Sequence, residues 1–167
     1  LWDILEGLRW VNRNIEYFGG DVRKITLAGE SVGAMSVGFM SISPLAKGLY
    51  SRQIMESGAP NLFTLEAMKK MNVDLAQQLA KEVNCANDTF TIQKNPGPVV
   101  KCLKGVNSTV LSKADFRILP DSSLDFFPTF GDKLLPENPK RAVLSGNFHC
   151  TDLLMGNNEV EGSFQEL

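Results

Sequence analysis

Histidine is almost absent from this 167-residue chain; His149 is the only one. Any chemistry that needs an imidazole base therefore has a single candidate within it. Charge of neither sign dominates. Seventeen basic and 19 acidic side chains leave a net charge of −2, so there is no electrostatic footprint for nucleic acid or an anionic membrane. No apolar run approaches the roughly 20 residues that a membrane-crossing helix needs. There is no internal repeat and no low-complexity segment, so no domain boundary is drawn. No grouping of side chains demands a metal or a cofactor, and neither is expected. An initiator methionine and a signal-like segment are also missing. The chain starts mid-pattern at Leu1-Trp2-Asp3 and stops at Gln165-Glu166-Leu167. It reads as a piece of one domain, residues 1–167, cut at both ends, so the missing leader says nothing about secretion.

Hydrophobic residues make up 43% and charged residues 22%, which is ordinary globular composition. The most informative stretch runs from Lys24 to Ser43. A short apolar run, Ile25 to Ala28, is followed by Gly29-Glu30-Ser31-Val32-Gly33 and then by the small-residue helical stretch Ala34 to Met40. Strand, tight turn with a serine at its apex, and helix together form a nucleophile elbow, the mark of the α/β-hydrolase fold. Such a turn leaves little room two positions before and two positions after the serine, where Gly29 and Gly33 stand. It lifts Ser31 Oγ clear of the sheet and aims the Val32 N–H into the same space, where it can serve an oxyanion hole. The fold class expected is α/β, with a mostly parallel central sheet and flanking helices.

Around this core the periodicity predicts a helix over 3–18, stopped by Gly19-Gly20, with Asp3 serving its N-terminus by capping or by charge. Pro44 breaks the helix after the elbow. Gln53 to Glu56 reads as a strand ending at Ser57-Gly58. Strand–helix–strand order implies a parallel pair, with Ser31 and Ser57 on the C-terminal edge, where open α/β sheets place their sites. Ser57 is read as a polar neighbour of the site rather than a second nucleophile. A long helix is expected over 65–83, short helical pieces at 99–103 and 108–111, irregular chain over 115–136, and a helix over 139–144. Phe126, Phe127 and Phe130 are read as core under a loop rather than the lining of a ligand channel. A strand over 151–155 leads into a loop carrying Glu159 and Glu161.

A serine hydroxyl needs a base to take its proton, and the base needs an orienting acid. In this fold the chain order is serine, acid, histidine. Glu161, freed by Gly162 beside it, is favoured over Glu159 as the acid. His149 precedes the acid and a strand, so it is in the wrong order for the base and is read as a loop residue. The base is then missing from the chain, as are the glycine-rich oxyanion donors that lie upstream of the elbow in this fold.

Cys85 and Cys102 flank a polar loop carrying Asn87-Asp88-Thr89, and Asn107-Ser108-Thr109 follows. Both triplets are glycosylation acceptor patterns. Paired cysteines beside such patterns point to an oxidising compartment (secreted, extracellular or within the endoplasmic reticulum) and to a Cys85–Cys102 disulfide, against the alternative of two free thiols and chance triplets. The bridge would contribute on the order of 3 kcal/mol. Cys150 is expected to be a buried free thiol.

Residues 1–58 resemble the type-B carboxylesterase and cholinesterase family through Trp2-Asp3, Leu8-Arg9-Trp10-Val11, Asn14-Ile15, Phe18-Gly19-Gly20-Asp21 and Gly29-Glu30-Ser31-Val32-Gly33-Ala34. Leu135-Pro136, Pro139, Gly156-Asn157 and Glu161-Gly162-Ser163-Phe164 look like its later signatures. The resemblance implies an acyl-enzyme nucleophile at Ser31, a triad acid at Glu161 and a buried acid beside the nucleophile at Glu30. It also implies a disulfide loop closed by Cys85 and Cys102, and a small carboxylic ester as substrate. Val22 and Val32 depart from it, standing where proline and alanine are usual. A non-catalytic adhesion or binding protein on the same fold is the rival reading; the presence of both Ser31 and Glu161 argues against it. Homo-oligomerisation and membrane anchoring are left open. The piece alone is expected to be inactive.

Overall fold

The computed structural model describes residues 1–60, 65–118 and 126–165. The chain forms two compact units, Leu1–Phe63 with Thr129–Leu167, and Thr64–Pro128.

The first unit is built on three parallel strands, β1 (Thr26–Glu30), β2 (Arg52–Glu56) and β3 (Asp152–Gly156), in the order β1-β2-β3. Thr26 pairs with Arg52, and Arg52 with Asp152, so all three strands end at one level. Helix α1 (Trp2–Asn14) opens the chain and buries Leu5 and Leu8. Leu1 takes the capping position without a side-chain bond, so Asp3 acts through its charge in the first turn. The helix tightens to a 3₁₀ turn over Ile15–Phe18 and stops at Gly19, whose φ of 79° is the left-handed conformation that glycine accepts. Asp21 then caps a second 3₁₀ turn by accepting the Arg23 N–H at 2.9 Å.

Helix α2 (Val32–Ile42) follows β1 directly. It is apolar around most of its circumference, which is what a helix covered on two sides requires. Ala34 and Val37 pack on the sheet against Met55 and Leu27. Phe39, Met40 and Ile42 join Leu5, Leu8, Tyr50, Leu134 and Leu135 in the main core. Ser41, Ser43 and Pro44 end the helix, and a 3₁₀ turn over Pro44–Ala46 leads toward β2. Within β2 the buried Gln53 donates to the Thr151 hydroxyl at 2.7 Å and the Tyr50 hydroxyl at 3.3 Å, so its amide is satisfied rather than orphaned. Phe130 packs on Phe39, with ring centroids 6.0 Å apart, in agreement with the reading of that aromatic as core. Helix α6 (Pro139–Ser145) is capped by Asn138 at its start and by Gly146, at φ 75°, at its end.

The second unit has α3 (Leu65–Glu82), α4 (Pro96–Gly105) and α5 (Ser108–Ile118). The last two run well beyond the short pieces expected from sequence, and α5 takes in residues 115–118 that were read as irregular. Pro96 pre-sets the start of α4, and the Asn107 side chain accepts the Thr109 N–H at 3.0 Å to begin α5. Cys85 and Cys102 are joined in a disulfide. Cys85, Ala80 and Val99 form a small core beneath it. Arg117 pairs with Glu82 at 2.7 Å. Residues 119–125, part of the stretch expected to be irregular, lie outside the described residues, as do residues 61–64 and 166–167.

Candidate active site

The serine turn begins with a backbone that an ordinary residue avoids. Ser31 has φ 53° and ψ −119°, a conformation that costs roughly 1–3 kcal/mol unless the surroundings impose it. The surroundings do. The Ser31 N–H donates to the Glu56 carbonyl at 2.9 Å, extending the β1–β2 ladder one step past the strand. The Ser31 carbonyl accepts the Met35 N–H at 3.1 Å and starts α2. The chain thus passes from extended to helical within one residue, and the serine is left exposed at the edge of the sheet. Val32, the first residue of α2, carries a backbone N–H that finds no carbonyl within its own helix.

The two glycines around Ser31 differ in what they allow. A Cβ on Gly29 would lie 2.3 Å from the Gly33 carbonyl carbon and 2.8 Å from the Ala34 nitrogen. A Cβ on Gly33 would meet nothing within 4 Å. The expectation that both positions lack room is therefore corrected: Gly29 is needed because it faces the backbone of Gly33, and Gly33 faces open space. A third glycine that the sequence reading missed sits at the next strand end. A Cβ on Gly58 would lie 2.3 Å from the Ser31 carbonyl oxygen. The Ser57-Gly58 pair immediately after β2 is the signal that could have found it.

Ser57 repeats the unusual backbone of Ser31, at φ 52°. Its N–H donates to the Gly156 carbonyl at 2.8 Å, which carries the ladder past β2 onto β3. Its side chain is the first cause holding the Glu161 carboxyl below the usual carboxylate range. The Asn158 N–H donates to Glu161 Oε1 at 2.6 Å. Donors aimed at a carboxylate favour its charged form, so Glu161 stays ionised at neutral pH. The three strand ends thus form one continuous edge. Gly58 passes close to the Ser31 carbonyl, and the Ser57 side chain acts on the charge of Glu161.

Other candidate residues lie apart. Glu159 belongs to the same loop and is exposed. Glu30 is exposed at the end of β1 rather than buried, because β1 is the outer strand of the described sheet. His149 donates its backbone N–H to the Ser41 carbonyl at 2.8 Å. It precedes β3, and β3 runs parallel to β1, so it stands at the N-terminal edge of the sheet, away from Ser31. There it lines a cavity of about 430 Å³ with Lys47, Glu137 and Phe148. Partial burial and the Lys47 charge push its imidazole below the ordinary histidine value. Cys150 is exposed, not buried as expected; all five residues of β3 beside it are exposed too. Asn87 and Asn107 are both exposed. Among the described residues no group of histidine, cysteine, aspartate and glutamate could hold a metal ion, and no helix is long and apolar enough to cross a membrane.

Comparison with known proteins bears on the same residues. The chain is 40% identical over 168 residues to Acetylcholinesterase-1 of Trittame loki, covering 98% of this chain and 29% of that protein. It is 34% identical over 173 residues to the acetylcholinesterase of Danio rerio, with 98% and 25% covered, and 32% identical over 168 residues to that of Leptinotarsa decemlineata, with 98% and 26% covered. The chain therefore spans between a quarter and a third of the length of these relatives. The model of the Carboxylesterase family matches residues 1–166. With an elbow serine, a parallel sheet and helices on its flanks, this chain belongs to the carboxylesterase family and has the α/β-hydrolase fold.

Proposed function

We propose that the complete protein is a serine hydrolase of small carboxylic esters that works through an acyl-Ser31 intermediate. The observation that supports this best is the joined edge of the sheet: a strained, exposed Ser31 held by Glu56 and Gly58, with Glu161 kept charged by the adjacent Ser57. In this reading Ser31 Oγ attacks the ester carbonyl carbon as a histidine takes its proton. The Val32 N–H helps hold the oxyanion, the C–O bond to the alcohol breaks, and the alcohol leaves with the proton. Water then cleaves the acyl-serine by the same route. Glu161 orients the histidine and stabilises its charged form. That histidine comes from outside residues 1–167, since His149 stands at the other edge, and residues 1–167 alone give no turnover. Glu30 is a neighbour of the nucleophile with no assigned step.

The relatives named above are acetylcholinesterases, and choline esters fall within the proposed substrate class. The Cys85–Cys102 disulfide supports placement in an oxidising compartment, secreted or extracellular. Asn87 and Asn107 are then its acceptors for N-linked sugar.

The test is treatment of the complete protein with a fluorophosphonate probe, followed by tryptic digestion. Such probes react with a serine whose base and oxyanion hole are assembled. The expected result is an adduct on the peptide Ile25–Lys47, lost in Ser31→Ala. A folded protein that stays unlabelled beside a reactive control esterase would overturn the hydrolase reading in favour of a binding role.

A further inference from the structure

The triplet Asn87-Asp88-Thr89 lies inside the loop closed by Cys85–Cys102 and takes no part in the chemistry above. The folded loop engages it closely. Asn87 Oδ1 accepts the Thr89 N–H at 2.9 Å, the Thr89 hydroxyl at 3.0 Å and the Phe90 N–H at 2.7 Å. The Asn87 N–H donates to the Phe90 carbonyl at 3.0 Å, and the Asn87 carbonyl accepts from Gln77 Nε2 at 3.2 Å. Asp88 pairs with Lys81. Two residues upstream, Cys85 is buried against Ala80 and Val99 and fixed by its disulfide. Asn87 Nδ2, the atom that would carry a sugar, is without a partner among the described residues. The hydroxyl that completes the acceptor pattern is instead bound to the oxygen of the same asparagine. A transferase must reach both groups, and the closed loop ties one of them away.

Asn107 makes an internal contrast. It lies outside the disulfide loop, and Oδ1 accepts only the Thr109 N–H among the described residues. The Thr109 hydroxyl has no partner there. The second triplet stands at the start of α5, with its side-chain amide nitrogen and its hydroxyl both without a partner among the described residues.

We infer that sugar attachment at Asn87 is gated by the Cys85–Cys102 disulfide: transfer occurs while the loop is open, and closure ends it. The transfer forms a bond between Asn87 Nδ2 and the anomeric carbon of a lipid-diphosphate-linked sugar. The bond from that carbon to the diphosphate breaks, and the Nδ2 proton leaves with the diphosphate. Sugar on Nδ2 leaves the three bonds to Oδ1 intact, so the modified loop still closes. The inference rests on the oxidising compartment proposed above and not on the hydrolase reading.

The experiment uses the complete protein made in a secretory eukaryotic host. The modified fractions at Asn87 and Asn107 are measured by mass spectrometry on the reduced tryptic peptides Glu82–Lys94 and Gly105–Lys113. Three samples are compared: untreated cells, cells given reductant during synthesis, and the double variant Cys85→Ser with Cys102→Ser. The expected result is a modified fraction at Asn87 that rises in both open-loop samples, with Asn107 unmoved. The reductant arm keeps the test valid if the double variant fails to fold. Sugar at Asn107 with an Asn87 fraction that is nil, already complete or unchanged overturns the gating. Asn107 unmodified with both cysteines reduced in untreated protein overturns the compartment reading, and the gating with it.

Discussion

Alanine at Gly29 and alanine at Gly33 should have opposite effects. At Gly29 the new Cβ would lie 2.3 Å from one backbone carbon, 2.4 Å from a backbone oxygen and 2.8 Å from a backbone nitrogen. The first is about an ångström short of the 3.4 Å at which ordinary contact begins. Overpacking a filled site costs about 1–3 kcal/mol, and more where neighbours cannot move. Here the neighbours are the backbone of the turn itself, which the Ser31–Glu56 and Met35–Ser31 bonds hold in place. We therefore expect a cost of about 3 kcal/mol or more, roughly a hundredfold in the folding equilibrium. At Gly33 nothing stands within 4 Å, and its φ is not positive. It is the second residue of α2, where alanine gains up to about 1 kcal/mol over glycine by helix propensity. The assay is urea unfolding of the complete protein with an unchanged slope, read beside fluorophosphonate labelling of Ser31. Gly29→Ala should lose both stability and labelling, and Gly33→Ala should keep its midpoint or raise it. A Gly29→Ala protein within about 0.5 kcal/mol of the parent, or a Gly33→Ala protein as damaged as Gly29→Ala, would refute the reasoning.

Ser57→Ala removes the side chain that comes first among the causes lowering the Glu161 carboxyl. The acid limb of the pH–rate profile should then move to higher pH; an unmoved limb would show that Ser57 does not set the charge of Glu161. The sign for stability follows from the same depression. The contribution of Glu161 is present above its unfolded value and is lost as pH falls through its folded one, so Ser57→Ala should flatten the acid side of the stability curve measured by urea midpoints. His149→Gln should leave Ser31 labelling unchanged, since His149 stands at the other edge of the sheet; loss of labelling in folded protein would restore it as the base. Replacing both Cys85 and Cys102 by alanine opens a loop with a sequence separation of 17 and should cost about 3 kcal/mol in urea unfolding; a cost under about 1 kcal/mol would mean that the small core around Ala80 and Val99 holds the loop without the bridge.

What the sequence made legible is what local patterns encode. The apolar run into Gly29-Glu30-Ser31 and the small residues after it specify a strand, a turn and a helix, and these lie over Thr26–Glu30 and Val32–Ile42. Gly19 and Gly146 punctuate helices because only their backbone freedom is at stake. Helix α5 was read with its start at Ser108 and underread at its end, because its last turn is held in part by Arg117 meeting Glu82, 35 residues away. No window of sequence contains that pair. Glu30 was misplaced for a related reason. Burial of a strand residue depends on what lies beside its strand, and β1 is an outer strand of the described sheet.

The candidate site was legible in its residue types and illegible in its joints. Ser31 and Glu161 announce themselves by motif and by chain order. That Ser57 stands between them does not, because the fact lives in the register. Thr26, Arg52 and Asp152 stand level, so the ends of all three strands reach the same edge together. Each next residue then bonds across to its neighbour, Ser31 to Glu56 and Ser57 to Gly156. Those two bonds draw both serines past the strands into positive φ, at 53° and 52°. A shift of one residue in either pairing would turn the serines to the other face of the sheet. It would also part Gly58 from Ser31 and Ser57 from Glu161. The catalytic geometry proposed here is in that sense a property of parallel register first and of the serine motif second.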